Sequence, residues 1–269
     1  MKLPEELRPK KSLGQNFLID ENVARKIVQS VEFQDTDIAL EIGPGTGVLT
    51  KYILPLVKKL IVVELDQSLA QGLREQFGTV TKFHLETRNF LGIRLSDFVS
   101  KEEQLRIIGN IPYNITSPVI FKVLEQRAWV RDMTLMVQRE VAQRIVASPG
   151  NKDYGILSVI SQLYSEPRIL FQVSKNVFFP KPKVDSTIVH WEFFPKPKFV
   201  IEDEFSFRKL IRTVFAHRRK MLRNSLKFVM GADFEPTGID FDLKKRPEEL
   251  SVAQFVYLWK LLQPLKSGL

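Results

Sequence analysis

Three glycines at alternating positions, Gly43, Gly45 and Gly47, are the first residues whose spacing indicates chemistry. They follow the apolar run Ile38–Ile42 and precede a helix-like stretch, an order typical of a buried parallel strand, a tight turn and a helix. Because glycine has no Cβ atom, such a turn can bring its backbone close to a ligand. A plain strand-to-helix turn also uses glycines, so the loop alone leaves both interpretations open.

The spacing of this loop excludes two nucleotide-binding motifs. A dinucleotide fingerprint requires glycine at its sixth position, where this chain has Val48. A P-loop requires Gly-Lys-Ser or Gly-Lys-Thr, which does not follow here. The remaining pattern, Glu41-x-Gly-x-Gly-x-Gly, resembles the first motif of S-adenosylmethionine-dependent methyltransferases.

The end of the next apolar run adds a carboxylate. Leu60–Glu64 reads as a strand, and its last residue lies about 20 positions past Gly43. At that distance a Rossmann-like sheet places a carboxylate that accepts hydrogen bonds from both hydroxyls of a ribose. Glu64 is therefore a candidate for cofactor binding, and a solvated strand end is the alternative.

A third motif, Asn110-Ile111-Pro112-Tyr113, follows the predicted strand Leu105–Gly109, at the edge where open α/β sheets bind ligands. Asn-x-Pro-Tyr resembles the catalytic motif of enzymes that methylate the exocyclic amine of adenine. In such a motif, the side-chain oxygen of Asn110 and the carbonyl of Ile111 accept hydrogen bonds from the amine and localise its lone pair. Pro112 stiffens the turn, and Tyr113 offers a ring on which an extruded base stacks. A proline turn with a core tyrosine is the alternative.

Alternating strands and helices are predicted to position these motifs. The predicted strands are Ile38–Ile42, Leu60–Glu64, Val80–His84, Leu105–Gly109, Met133–Val137, Arg168–Val173 and Ser186–Phe193. The predicted helices are Asp20–Val31, Val48–Leu56, Ser68–Phe77, Pro118–Leu124, Arg139–Ala147, Ile156–Tyr164, Phe205–Phe228 and Ser251–Leu262. This alternation predicts an α/β fold, with a Rossmann-like, doubly wound parallel sheet and helices on both faces. Pro-Lys-Pro-Lys at 195–198 predicts a linker between a catalytic domain, 1–194, and a small all-helical domain, 199–269.

Composition limits the function classes. The 269 residues include 40 Lys and Arg against 31 Asp and Glu, a net charge of +9 that suggests a polyanionic partner such as nucleic acid. The chain has no cysteine, which excludes disulfides, cysteine nucleophiles and zinc–thiolate sites and fits a cytoplasmic location. The three histidines are far apart, so no metal is expected. No apolar run approaches the roughly 18 residues of a membrane span, and no membrane partner is expected.

Basic and aromatic residues predict where RNA is contacted. The segment 208–227 carries eight Lys or Arg and no acid, whereas a solvated helix face usually mixes signs. The candidate phosphate contacts there are Arg218, Arg219, Lys220 and Arg223. Phe178 precedes a loop with Lys181 and Lys183 and suits a second stacking wall beside a backbone-binding loop. Two core phenylalanines and a solvated turn are the alternative there.

Six segments together resemble the ribosomal RNA adenine dimethylases, in particular their small-subunit enzymes. These segments are 12–18, 41–47, 110–114, 178–186, 218–226 and 246–251, in the family's order. The resemblance implies S-adenosylmethionine as the cofactor and no metal. It implies dimethylation of N6 on two adjacent adenosines near the 3′ end of 16S rRNA, in the loop of helix 45 of the 30S subunit or its precursor, by a cytoplasmic monomer that contributes to small-subunit biogenesis.

The resemblance also assigns roles to residues of the motifs. Asn16 and Leu18 flank the cofactor, while Gly43 and Gly45 pass under it. Glu64 holds the ribose, and Asn110 bridges the cofactor and the target amine. Tyr113 and Phe178 sandwich the flipped adenine.

One position departs from the family pattern. Where the family has an aspartate that accepts from the adenine amine of the cofactor, this chain has Asn89. An amide oxygen still accepts but carries no charge, so weaker cofactor binding is expected.

Three other functions are alternatives to this one. They are a 23S rRNA dimethylase of the macrolide-resistance type, a largely non-catalytic 30S assembly factor, and a DNA adenine methylase. The Asn-x-Pro-Tyr motif argues against the assembly factor, and the basic run at 218–224 with the C-terminal helix favours the small-subunit enzyme. The small helical domain is unlike a module that reads duplex DNA.

Overall fold

The structure, a computed structural model, describes residues 9–231, 233–235 and 238–266. The predicted domains extend beyond this at 1–8 and 267–269, which lie outside the described residues, as do positions 232, 236 and 237. The chain divides into two compact units. The first takes in the chain up to Ala142 together with Pro167–Phe193, and the second takes in Gln143–Glu166 and the chain from Phe194 onward.

Seven strands form the central sheet of the first unit. The described strands are β1 (Phe17–Leu18), β2 (Ile38–Ile42), β3 (Lys59–Glu64), β4 (Phe83–Thr87), β5 (Leu105–Asn110), β6 (Val130–Gln138), β7 (Ser165–Val173), β8 (Phe178–Phe179) and β9 (Ser186–Phe193). The order in the sheet is β4-β3-β2-β5-β6-β9-β7. Strands β2 to β6 pair in parallel, and β9 is antiparallel to β6. In chain order the sheet begins at β2, extends through β3 to β4, and then continues with β5 on the other side of β2. Strands β2 and β5 therefore form a topological switch point, as in Rossmann-like sheets. The predicted doubly wound α/β fold is confirmed.

Nine helices connect and cover the strands in the described residues. They are α1 (Glu21–Gln29), α2 (Thr50–Ile53), α3 (Gln67–Phe77), α4 (Thr116–Glu125), α5 (Arg139–Val146), α6 (Ile156–Tyr164), α7 (Glu204–Ala216), α8 (Leu222–Met230) and α9 (Val252–Lys266). Asp20 caps α1, since its Oδ1 accepts from the amides of Asn22 and Val23. A capping box begins α9, with reciprocal hydrogen bonds between Ser251 and Gln254.

Strands β2 and β3 are buried along nearly their whole length. Every residue of β2 is buried, and so is every residue of β3 after Lys59. Since successive side chains of a strand point to opposite faces, this pattern requires a cover on both faces of the sheet. Burying these aliphatic side chains contributes about 1.5–3 kcal/mol each, and the strand ends that carry the site are thereby held rigidly.

A buried cluster of ion pairs lies where β2, β5 and β6 begin, at the amino-terminal ends of these strands. Arg106 donates to Asp37 and to Asp132, each at 2.8 Å. It also donates to the carbonyls of Val31 and Glu32. These partners satisfy a guanidinium that is only 5 % exposed. The cluster therefore has a structural role, and the candidate active site is expected at the carboxyl ends of the strands.

Several predicted elements were wrong in extent. The helix predicted at Val48–Leu56 is the four-residue α2, followed by a 3-10 turn at Leu54–Leu56. The third strand was predicted at Val80–His84, but residues 80–82 form a turn in which the Phe83 amide donates to the Val80 carbonyl at 3.0 Å. Strand β4 therefore starts at Phe83. The continuous helix predicted from Phe205 to Phe228 is two helices, α7 and α8.

The break between α7 and α8 has a visible cause. The first amides of α8 do not continue α7 but donate to a distant segment, Leu222 to the Lys245 carbonyl and Arg223 to the Leu243 carbonyl. An apolar stripe cannot reveal this, because both helices keep the same periodicity.

The second unit is helical and includes a segment that the sequence assigned to the first domain. Helix α6 packs against α7 and α9, which explains why residues 143–166 belong to this unit. Beyond the terminal residues of β7, its described elements are helices and short turns. The division of labour between a catalytic and an RNA-binding domain stays a prediction.

Candidate active site

One cleft in the first unit collects nine of the predicted site residues. It lies at the carboxyl ends of β2, β3 and β5 and has an empty volume of about 1140 Å³ including its open mouth. The predicted residues that line it are Asn16, Leu18, Gly43, Gly45, Glu64, Asn89, Asn110, Pro112 and Tyr113. Residues more than 90 positions apart in sequence thus meet at one edge of the sheet, as the parallel strand order requires.

The glycine loop adopts backbone conformations that favour glycine. Gly43 and Gly45 have φ angles of +63° and +60°, in the left-handed region that a side chain disfavours. A Cβ atom on Gly45 would lie 3.0 Å from the ring of Phe17, which also lines the cleft. The loop therefore presents bare backbone to the cleft, a surface suited to close contact with a ligand.

Glu64 is the buried carboxylate at the end of β3. Its Oε2 accepts from the Gly45 amide at 3.2 Å and its Oε1 accepts from the Asp66 amide at 2.9 Å. Burial raises the pKa of Glu64 despite these hydrogen bonds. A buried carboxylate that lines an open cleft beside a bare glycine loop fits the ribose hydroxyls of S-adenosylmethionine, because each of its oxygens can accept a further hydrogen bond from them.

Asn110 is the last residue of β5, and a hydrogen bond orients its side-chain amide. The Asn110 Nδ2 donates to the carbonyl of Asn16 at 3.3 Å, which turns the side-chain oxygen into the atom left to accept from a ligand. Pro112 follows with φ −55° and ψ 136° and precedes a single helical turn, Tyr113–Ile115. The motif thus leaves the strand in a fixed direction, as its proline predicts.

The hydroxyl of Tyr113 forms a hydrogen bond with the hydroxyl of Ser186, which positions the ring. The two hydroxyls lie 2.7 Å apart, and Ser186 is fully buried at the start of β9. Burial raises the pKa of Tyr113, so the hydroxyl stays protonated and can keep this hydrogen bond. Ser186 was not among the predicted site residues, although it closes the motif at 178–186.

Residues 10–18, here called the N-terminal arm, contribute to the lining of the cleft and form polar contacts with Asp66 after β3. Lys10 Nζ forms an ion pair with Asp66 at 2.7 Å, and Gln15 donates to the same carboxylate at 3.3 Å. Strand β1 pairs with β8, so that Leu18 lies opposite Phe178 and Phe17 lies opposite Phe179. The sequence did not predict these contacts, since a two-residue strand carries no periodic signal.

Phe178 does not line the described cleft. Its side chain is 4 % exposed and belongs to the hydrophobic core that also contains Leu18. The neighbouring Phe179 is 51 % exposed. Contact between Phe178 and a flipped base stays a prediction. Leu65, 51 % exposed and adjacent to Glu64, lines the cleft and was missed.

Asn89 caps the short helix that follows β4. Its Oδ1 accepts from the amide of Leu91 at 2.9 Å. That oxygen keeps one lone pair with which to accept from a ligand, whereas Nδ2 donates and cannot accept from an amine. An aspartate would cap Leu91 with one oxygen and offer the other to the ligand.

We predict that Asn89→Asp tightens binding of S-adenosylmethionine by about fivefold, because a charge-assisted acceptor is worth roughly 1 kcal/mol more than a neutral one. Isothermal titration calorimetry of the two proteins measures this directly. Asn89→Ala, which removes both the cap and the polar group, is the control for a loss of loop structure. An unchanged dissociation constant for Asn89→Asp would contradict the prediction.

Glu41 is a second buried acid in the lining of the cleft. It is 1 % exposed, and its Oε2 accepts from the Thr50 hydroxyl at 2.7 Å. Its Oε1 has no hydrogen-bond partner among the described residues. Burial raises the pKa of Glu41 to about 8, opposed by the Thr50 hydrogen bond and assisted by the Glu64 charge.

We predict that Glu41→Gln reduces the pH dependence of stability. Between the ordinary pKa of 4.5 and the folded value of about 8, the folded protein holds a proton that the unfolded chain has released. The free energy of unfolding contributed by this group therefore falls as the pH rises through that window. Glutamine does not titrate, so the melting temperature of the variant relative to wild type should rise from pH 5 to pH 8. Exposed Glu102→Gln is the control, and a constant difference would contradict the prediction.

The predicted RNA contacts lie on both units. Lys181 and Lys183 are exposed in the loop after β8, in the first unit. Arg219, Lys220 and Arg223 are exposed in the second.

Arg218, also in the second unit, differs from its neighbours. It is paired with Glu248, and its guanidinium donates to the Asn151 carbonyl at 3.2 Å. A structural role competes there with the predicted phosphate contact, which stays a prediction.

Two further properties follow from the described part of the chain. None of its helices is long and apolar enough to cross a membrane. Within the same residues, no group of three or more His, Asp or Glu side chains is arranged to hold a metal ion.

Comparison with known proteins gives consistent results. The model of the ribosomal RNA adenine dimethylase family matches residues 6–263. The ribosomal RNA small subunit methyltransferase A of Chlorobium phaeobacteroides is 46% identical over 260 residues, covering 97% of this chain and 96% of the relative. A dimethyladenosine transferase from Plasmodium falciparum superposes with a TM-score of 0.77 at 26% identity, covering 94% of this chain and 98% of that one.

The fold is shared more widely. The 23S rRNA methyltransferase ErmE superposes with a TM-score of 0.68 at 23% identity, covering 91% of this chain and 99% of that one. This likeness concerns the fold alone.

Proposed function

Because the chain belongs to the ribosomal RNA adenine dimethylase family, we propose that its substrate is the small ribosomal subunit. The chain is an rRNA adenine dimethyltransferase by family membership. The proposed reaction dimethylates N6 of two adjacent adenosines near the 3′ end of 16S rRNA, in the loop of helix 45. The small-subunit name of its relatives supports this choice over 23S rRNA.

The proposed methylation of an adenine amine is supported by the arrangement of Asn110 and Tyr113 in the same cleft as Glu64. Both halves of the reaction need one site, since the methyl group and the amine must meet in line. The cleft brings the ribose-binding candidate and the amine-binding candidates together within one rigid strand edge.

S-adenosylmethionine, when bound, supplies a methyl group on a positively charged sulfur. In this chain, Asn16, Leu18 and the backbone at Gly43 and Gly45 would surround that cofactor, and Glu64 would accept from its ribose hydroxyls. The exposed apolar side chain of Leu65 would cover its adenine. These assignments use residues that line one cleft.

The chain's own part in the transfer is to present the adenine amine as a nucleophile. The nitrogen lone pair of adenine is delocalised into the ring. Acceptance by the Asn110 Oδ1 and the Ile111 carbonyl favours a tetrahedral nitrogen whose lone pair faces the methyl group. Tyr113, fixed by Ser186, stacks on the extruded base. After transfer the amine proton passes to water, so the mechanism requires no strong base.

We assign rRNA contact to the exposed cations of both units, Lys181 and Lys183 in the first and Arg219, Lys220 and Arg223 in the second. The proposal also places the enzyme in the cytoplasm, where it acts as a monomer on the 30S subunit or its precursor.

A transfer assay tests the choice of subunit. Radiolabelled S-adenosylmethionine is incubated with small subunits that lack the dimethyladenosines and, separately, with large subunits. We expect label on the small subunit only. Label confined to the large subunit would overturn the proposed substrate, and binding to small subunits without transfer would indicate an assembly factor.

A further inference from the structure

An exposed aromatic ring stands on α8 in the second unit. Phe228 is 54 % exposed. One side of the ring is covered by His217, whose ring centroid lies 3.8 Å away with the planes 19° apart. The Lys220 ammonium lies 5.3 Å from the Phe228 centroid. The ring is therefore held in place, and much of its surface remains open.

The surroundings of Phe228 are positively charged. Arg219, Lys220 and Arg223 are exposed beside it in sequence, and the segment 208–227 contains no acid. The hydrogen bonds from the Leu222 and Arg223 amides to 243–245, at 2.8 and 3.1 Å, bring a second basic segment, 244–246, to the start of the same helix. Its three residues are Lys244, Lys245 and Arg246. The sequence alone did not connect these two basic segments.

Side chains, and not the helix terminus, must make the phosphate contacts here. The first two amides of α8 donate to the carbonyls of Lys245 and Leu243, and the next two donate to the Met221 carbonyl. No backbone donor of the first turn is thus left for an anion. The exposed Asn224, one turn before Phe228 on the same helix, offers an amide that can bond to the edge of a base.

We propose that Phe228, supported by His217 and Lys220, is a stacking platform for an unpaired base of the ribosomal RNA. Arg219, Arg223 and residues 244–246 hold the neighbouring phosphates. Unpaired bases stack on aromatic side chains beside cationic grooves, because every base has a flat face and every nucleotide a charge. A double-stranded segment would offer phosphates but no open base face. The proposal deepens the proposed function and rests on it for the identity of the RNA.

A second exposed ring in the same unit provides a matched control. Phe205 is 79 % exposed at the start of α7, more than Phe228. It is preceded by Glu202, Asp203 and Glu204, which repel a phosphate backbone. Exposure alone would make Phe205 the better platform, whereas charge complementarity selects Phe228.

Binding to short RNA separates stacking from phosphate contact. The full-length protein is titrated with a fluorescein-labelled single-stranded oligoadenylate and with an abasic oligomer of equal phosphate number, using anisotropy. We expect Phe228→Leu to weaken binding of the oligoadenylate by roughly tenfold and to leave the abasic oligomer unchanged. Phe205→Leu should change neither. Equal affinities of Phe228→Leu and wild type for the oligoadenylate would overturn the proposal, and so would equal losses with both oligomers.

A spectroscopic measurement reports on the position itself. The additional tryptophan emission of Phe228→Trp, relative to wild type, should be quenched by the oligoadenylate and not by the abasic oligomer. Phe205→Trp should show no such quenching, and its quenching to the same extent would overturn the proposal. Neither measurement depends on methyl transfer, so a failure of stacking is distinguished from a failure of the proposed reaction.

Discussion

Replacing Asn110 by alanine should lower kcat for methyl transfer by about 100- to 1000-fold, the usual effect of removing one polar group that stabilises a reacting atom. The Asn110 side chain is the acceptor that localises the lone pair of the target amine. Its amide also donates to the Asn16 carbonyl at 3.3 Å, which holds the arm across the cleft. Single-turnover transfer to small subunits, with saturating S-adenosylmethionine, measures the chemical step.

Two companion measurements define what Asn110 does. Asn110→Asp keeps an acceptor oxygen but loses the donor to Asn16, so its loss should be smaller than that of Asn110→Ala. Calorimetry then shows whether the cofactor still binds to each variant. A rate for Asn110→Ala within threefold of wild type would contradict the role assigned to the amide.

The second large effect is expected for Tyr113→Ala. Without the ring, the extruded adenine has no surface on which to stack, and kcat/KM for the small subunit should fall by about 100-fold. The dissociation constant for S-adenosylmethionine should change by less than about threefold, since stacking concerns the target base. The measurement is methyl transfer as a function of subunit concentration.

Tyr113→Phe and Ser186→Ala test the hydrogen bond that positions the Tyr113 ring. Each removes one side of the 2.7 Å hydrogen bond between the two hydroxyls. We expect a loss of about tenfold or less in either variant, with no further loss in the double variant, because both changes break the same contact. Additive losses would show that Ser186 acts on something other than Tyr113.

The residues of the cleft could be predicted from sequence because strand order determines where they meet. Gly43, Glu64 and Asn110 each follow the end of an apolar run, and the ends of parallel strands share one edge of a sheet. The buried strands Ile38–Ile42 and Leu60–Glu64 were predicted within one residue for the same reason, since a continuous apolar run bounded by turn residues is a strong local signal.

Other features depend on contacts between distant residues and carry no local signal. The pairing of Phe17–Leu18 with Phe178–Phe179 requires two segments that are 160 residues apart. The break between α7 and α8 depends on carbonyls at Leu243 and Lys245. Nothing in the basic run distinguished Arg218 from Arg219, which differ because Arg218 pairs with Glu248 and donates to the Asn151 carbonyl.

The third strand shows how composition misleads at an element boundary. Val80 is apolar and β-branched, so it favoured a strand, but the carbonyl of Val80 closes a turn with Phe83. The strand runs instead through Phe83–Thr87, where His84, Glu86 and Thr87 are polar. This edge strand is less buried than β2 or β3, and its apolar pattern is correspondingly weak.

The identity of the modified nucleoside tests the central claim most directly. Small subunits that lack dimethyladenosine are incubated with S-adenosylmethionine and either wild type or Asn110→Ala, and the 16S rRNA is digested to nucleosides for mass spectrometry. The predicted result is N6,N6-dimethyladenosine with wild type and a loss of at least about 100-fold in its initial rate of formation with Asn110→Ala. Methylation of another base or of ribose, or undiminished N6,N6-dimethyladenosine with Asn110→Ala, would contradict the site and the mechanism assigned to this cleft.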